Sequence, residues 1–220
     1  MAAVSGTGMN PRAAEVSRRT TETDVRVRLD LDGTGRHAVA TGVGFFDHML
    51  VQVARHGLFD LEVQAQGDLH VDAHHTVEDV GIVFGQALRR VLGEGRGIRR
   101  YGHAVVPMDE ALASCTVDIS GRPLLVYRVT LAREQVGAFD TELVEVFFQG
   151  VAAHAGLTLH LESPYGSNAH HVIEAVFKAF ARALDQATQL DPRVRDVPSS
   201  KGALLADWGP AGDGQEERDR

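Results

Sequence analysis

Two His-His-x-x-Glu signatures stand in this chain: His74, His75 and Glu78, then His170, His171 and Glu174. In an α-helix, residues four apart lie one turn from each other on the same face. His74 with Glu78, and His170 with Glu174, can therefore each offer one nitrogen and one carboxylate oxygen to a single cation. His75 and His171 point about 100° further round their helices, towards a second cation. The spacing predicts two helices that each serve two ions. Imidazole and carboxylate donors suit Mn, Fe, Co, Ni or Zn. Ligation requires unprotonated imidazole, so activity is expected to fall as the histidines titrate below about pH 6.5. Two ordinary helix starts are a poor alternative, because the positive end of a helix disfavours protonated histidine.

Other residues suit supporting roles. His48, in Phe45-Phe46-Asp47-His48-Met49, is a candidate further ligand with Asp47 as its partner, although a lone histidine is as readily an ordinary half-buried one. Glu22 precedes a strand-like run and, taken alone, reads as a solvated charge. Arg100 and Arg122 have the forked donors that grip a phosphate, and Ser199, Ser200 and Lys201 form a hydroxyl- and ammonium-bearing loop fit for a small oxyanion. Lys178 is counted with them as a substrate-binding candidate. Glu78 and Glu174 are candidates for catalysis as well as ligation. No dinucleotide loop, P-loop, HExxH or GxSxG sequence occurs.

The elements that must position these groups are duplicated. Val25, Val27, Leu29 and Leu31 alternate with polar residues, the period of a half-buried strand. A turn at 32–35 and a second strand complete an expected hairpin, and residues 114–129 repeat that device around Gly121-Arg122-Pro123. Helical stretches follow at 45–57 and 141–156, then short strands at 59–63 and 157–162. Long amphipathic helices at 74–92 and 170–190 close the halves and carry the signatures. Each half reads β-β-α-β-α, which predicts an α+β fold with helices packed on one face of the sheet. The expected organisation is a flexible segment over 1–15, repeats over 16–96 and 97–205, and a disordered tail over 206–220, with Met1 or Met9 as the start.

Composition narrows the function classes. The chain has 220 residues, 44% of them hydrophobic, and a formal net charge of -8, which argues against nucleic-acid partners. Its single cysteine, Cys115, excludes an internal disulfide and fits the cytoplasm. No apolar run is long enough to span a membrane. A different di-metal His/carboxylate enzyme and a non-enzymatic metal-binding protein remain open on these grounds.

The strings FFDHML, AHHTVEDVGI, GIRRYG, PMDEAL, DISGRP, NAHHVIEAVFKAFARAL and PSSKGAL resemble the imidazoleglycerol-phosphate dehydratase family, from about Arg18 to Leu204. The resemblance implies a sheet/helix sandwich similar to a domain of small ribosomal proteins. It implies a hydro-lyase of histidine biosynthesis acting on a small imidazole phosphate. Two Mn2+ ions per active site and a 24-subunit homo-oligomer, with sites between subunits, are also implied. His48, His75, His170 and Glu174 would hold one ion, and His74, Glu78 and His171 the other. Glu22 matches the acid-base position; Arg100, Arg122, Ser199, Ser200 and Lys201 match the phosphate positions. One departure stands out. Where the family pattern carries histidine before its paired aromatics, this chain has Val146, which cannot ligate. The second ion is therefore expected to be the weaker, since an open position is a better reading than rescue by the distant His154 or by His160 on the following strand.

Overall fold

A computed structural model describes residues 12–205. The first half runs β1 (Ala13–Arg19), β2 (Thr23–Asp30), β3 (His37–Ala40), α1 (Gly44–Gly57), β4 (Asp60–Gly67) and α2 (His74–Leu92). The second runs β5 (Tyr101–Met108), β6 (Ala111–Ile119), β7 (Leu124–Val129), a small β8–β9 hairpin (Gln135–Val136, Phe139–Asp140), α3 (Leu143–Ala155), β10 (Leu157–Tyr165) and α4 (Ala169–Thr188). The α+β class and its duplication are as the sequence predicts. Both halves use the same sheet order, β1-β2-β4-β3 and β5-β6-β10-β7.

Three local expectations change. β2 and β3 do not form a hairpin: β4 lies between them, antiparallel to β2 and parallel to β3. The same holds for β6, β10 and β7. The reason is the helix that follows each turn, because a strand-helix-strand crossover returns its second strand parallel to its first. Each half also gains an opening strand, β1 or β5, paired antiparallel to the next. β1 begins at Ala13, so residues 13–15 belong to a sheet and not to the expected flexible segment. The expected tail over 206–220 lies outside the described residues.

Patterning explains the layers. On β2, Val25, Val27 and Leu29 are fully buried while Arg26 and Arg28 face out. Each sheet thus has one wet and one apolar face, and the apolar faces join all four helices in one core. α2 packs on its own sheet and against α3, while α4 packs on the other sheet and against α1. The α2–α3 contact is close because it is made by glycine. A Cβ on Gly81 would sit 2.6 Å from the carbonyl oxygen of Phe147, and one on Gly150 only 3.0 Å from the Ile82 nitrogen. The exchange of partners between halves places α1, with His48, beside the start of α4.

Candidate active site

The N-termini of α2 and α4 carry the signature residues. Asn168 caps α4, its side chain accepting from the His170 N–H at 3.0 Å, while α2 starts after Ala73 without a side-chain cap. From α1, His48 reaches across so that its Nε2 lies 3.3 Å from Oε2 of Glu174. His170 Nε2 approaches the same oxygen at 3.1 Å. One donor atom from each of His48, His170 and Glu174 falls within 4.8 Å of the others, a spacing three ligands of one ion can share. Phe45 packs edge-on against the His170 ring at 5.1 Å and is itself backed by Phe139 at 5.2 Å. These contacts fix the ring.

Glu174 is buried, and burial pushes its carboxyl up. The ammonium of Lys178, 2.6 Å from Oε1, and the two histidines outweigh burial and hold the carboxyl below its ordinary value. Glu174 is thus an anion ready to bind a cation. Lys178, expected to face substrate, stands in an ion pair one turn along the same helix.

His75 and His171 share a different arrangement. His75 Nδ1 donates to Asp68 Oδ2 at 3.0 Å, with Glu22 Oε2 at 3.8 Å. His171 Nδ1 donates to Glu110 Oε2 at 2.7 Å. The carboxylates raise both imidazoles above their ordinary pKa. A ring held through Nδ1 by a carboxylate presents Nε2 outwards, the orientation of a metal-ligating histidine with an outer partner. Asp68 and Glu110 were not found from sequence. They lie outside both signatures; Glu110 falls within the string PMDEAL, but nothing in the sequence pairs it with His171.

Other expectations are placed as follows. Asp47 does not hold His48; it accepts from the Thr41 N–H at 2.9 Å and the Thr41 hydroxyl at 2.6 Å, closing the loop before α1. Gln52 instead lies beside His48, 3.4 Å from Nδ1. The predicted second set, His74, Glu78 and His171, is not gathered among the described residues of one chain, and His75 stands apart from the His48 group. The repeat partner of His48, counted from the paired phenylalanines, is Gly150, where a Cβ would lie 3.3 Å from the Glu78 carbonyl oxygen. Val146 packs half-buried against the core. His154 bonds back to the Gly150 carbonyl at 3.0 Å.

The anion-binding candidates gather elsewhere. Arg100 is bound to both oxygens of Asp118, at 2.7 and 3.2 Å, and to the Pro198 carbonyl at 2.9 Å. Arg122 is exposed, 3.7 Å from Asp118, and Lys201 is exposed in the adjoining loop, where Ser199 Oγ accepts its N–H at 3.2 Å. The Arg100 N–H bonds to the carbonyl of Ala187, near the end of α4. His170 is 17 residues earlier, so the two groups lie about 25 Å apart along the helix. A small imidazole phosphate cannot bridge that distance within one chain.

The two signatures, the His48–His170–Glu174 trio and the duplicated sheets fit one family, and comparison with known proteins decides it. The model of the family "Imidazoleglycerol-phosphate dehydratase" matches residues 41–184. The chain belongs to the imidazoleglycerol-phosphate dehydratase family. It is 61% identical to the imidazoleglycerol-phosphate dehydratase of Methylibium petroleiphilum, over 88% of this chain and 98% of that protein. It is 62% identical to the dehydratase of Symbiobacterium thermophilum, over 88% and 93%. Among solved structures, the dehydratase of Staphylococcus aureus aligns with a TM-score of 0.74 at 42% identity, covering 81% of this chain and 99% of that one. The Pyrococcus furiosus dehydratase gives 0.75 at 35%, covering 86% and 100%. Among the described residues, no helix is long and apolar enough to cross a membrane.

Proposed function

We propose that this chain is a hydro-lyase that dehydrates imidazoleglycerol phosphate to imidazole-acetol phosphate in histidine biosynthesis. The observation that carries the reading is the convergence of His48, His170 and Glu174 in a member of this dehydratase family. The donor set fits a divalent ion of the Mn2+ kind: two imidazoles and an anionic carboxylate, with the only thiol, Cys115, buried elsewhere. His75 joins this set in the proposal, and His74, Glu78 and His171 hold a second ion. Bound ions would supply Lewis-acid polarisation of the substrate's imidazole ring.

The protein's own groups do the rest. The hydroxyl next to the ring must leave with a proton, and a proton must come off the adjacent carbon. An enol results, and its tautomerisation gives the ketone. Glu22, exposed on the β1–β2 turn beside His75, is the proposed proton shuttle between these two positions. Arg122, Ser199, Ser200 and Lys201 grip the phosphate, with Arg100 holding their loop in place through Pro198. Lys178 keeps Glu174 anionic and, beside it, remains the proposed substrate-binding lysine.

The separation of about 25 Å along α4 supports a site completed by another copy of the chain. The His48–His170–Glu174 group comes from one subunit, and the phosphate groups and the remaining metal ligands come from neighbours, as in the expected 24-subunit assembly of the two-repeat chain. The buried free thiol and the biosynthetic role suit the cytoplasm. Mixed assembly tests this reading. His170→Ala and Arg122→Ala are each expected to be inactive or severely weakened, and co-refolded mixtures to regain dehydratase turnover. Wild-type turnover without such recovery would reject the shared site, and no wild-type turnover would reject the function.

A further inference from the structure

The two halves can be superposed by role. Glu22 is the residue before the second strand of its half, and Glu110 is the residue before the second strand of the other. Each faces the second histidine of its half's signature, His75 or His171. The pairs nonetheless differ in geometry. Glu110 is fully engaged: Oε2 accepts from His171 Nδ1 at 2.7 Å. Oε1 accepts from the Ser167 N–H at 3.1 Å, the Ser167 hydroxyl at 3.2 Å and the Asn168 N–H at 2.8 Å. Asn168 in turn caps the N–H of His170. One carboxylate therefore holds the His171 ring and the backbone that leads into both histidines. Glu22 makes no such bonds among those described. It stands 3.8 Å from His75, and the ring's Nδ1 is held by Asp68 at 3.0 Å.

From this asymmetry we propose that Glu22 and Glu110 are duplicate positions that have taken different work. Glu110 is a positioning residue that aims His171 at its ion. Asp68, the first residue after β4, aims His75 in the first half and so releases Glu22 from that duty. The inference rests on the metal-dependent dehydratase reading and goes beyond it, since it assigns outer ligand-holding roles to Asp68 and Glu110. A carboxylate holding the far nitrogen of a ligand histidine fixes its tautomer and direction, and its loss typically weakens metal binding about 10–100-fold.

The test is Mn2+ binding by the assembled protein, read from the free-ion electron paramagnetic resonance signal during titration, with turnover measured in parallel. Glu110→Gln and Asp68→Asn are expected to weaken Mn2+ binding about 10–100-fold. Turnover of Glu110→Gln should recover at saturating Mn2+. Glu22→Gln should bind Mn2+ as the wild type does, with turnover that no amount of Mn2+ restores. Asn168→Ala controls for helix stability: it removes the α4 cap but leaves the carboxylate on His171, so Mn2+ binding should be unchanged while thermal unfolding shifts. Wild-type affinity in Glu110→Gln, or equal losses in Glu110→Gln and Asn168→Ala, would overturn the positioning role. A loss in Glu22→Gln matching that in Asp68→Asn would overturn the division of work. A wild type that dehydrates substrate but takes up no Mn2+ would overturn both this proposal and the metal reading, while leaving the activity standing.

Discussion

His170 Nε2 lies 3.1 Å from Oε2 of Glu174, and His48 Nε2 approaches that same oxygen from another helix. The i,i+4 relation of the signature is therefore realised as a bite, and the third donor comes from a different element. Glu174→Gln keeps the shape and removes the charge. It is predicted to lower metal retention by more than the roughly 10–100-fold that loss of an outer partner costs. Metal content after gel filtration checks it. Retention equal to wild type would remove Glu174 from the ligand set.

Arg122 and Lys201 are exposed, the Arg122 guanidinium held among the described residues only by a 3.3 Å bond to the Ser120 carbonyl and a 3.7 Å approach to Asp118, whereas Arg100 is committed to Asp118. Alanine at Arg122 or Lys201 should weaken substrate binding by about 1.5–3 kcal/mol each, as loss of a charge-assisted hydrogen bond does. The measurement is KM, together with competition by inorganic phosphate. Arg100→Ala should also lower the melting temperature, because it strands the half-buried Asp118 carboxylate. Unchanged KM in both Arg122→Ala and Lys201→Ala would place the phosphate elsewhere.

Asp60 is a traceable contributor to acid stability. Asp60 is held from its ordinary 3.8 down to about 2, first by the Arg36 guanidinium and then by the Thr34 N–H. A carboxyl depressed in the folded state stabilises above its unfolded pKa and loses that contribution as pH falls through the folded value. Asp60→Asn should therefore melt earlier at neutral pH, and its deficit should shrink between about pH 4 and pH 2. Circular dichroism melts across that range decide it; a deficit independent of pH would assign the effect to packing.

Val146 and Gly150 leave the part of α3 beside Glu78 without an imidazole, where α1 offers His48 to Glu174; His154 packs further along, against Gly85 of α2. The second ion should be lost first on mild dialysis. Val146→His should slow that loss, and mass spectrometry of metal content per subunit reports it. Two firmly held ions in the wild type, unaffected by the substitution, would contradict a weak second site.

The duplication and its helices were legible because burial imposes a period: 74–92 was read from pattern alone and is the span of α2. The order of strands was not legible. A turn such as 32–35 fixes a change of direction, but the neighbour of β2 is chosen by the α1 crossover far along the chain. β1 was missed because its residues are only half-buried, which blunts the alternation. In the site, the signatures announced themselves by spacing. His48 reached Glu174 only through tertiary packing of α1 on α4. Asp68 and Glu110 act through single contacts from turns, and no periodicity marks a turn residue.

Metal-dependent dehydration is read most directly by incubating the purified, metal-stripped protein with imidazoleglycerol phosphate, with and without added Mn2+, and following product by mass. The expected product is imidazole-acetol phosphate, formed by loss of one water only when the ion is restored. Substrate left intact with Mn2+ and with each of the other divalent ions suited to these donors would contradict metal-dependent dehydration.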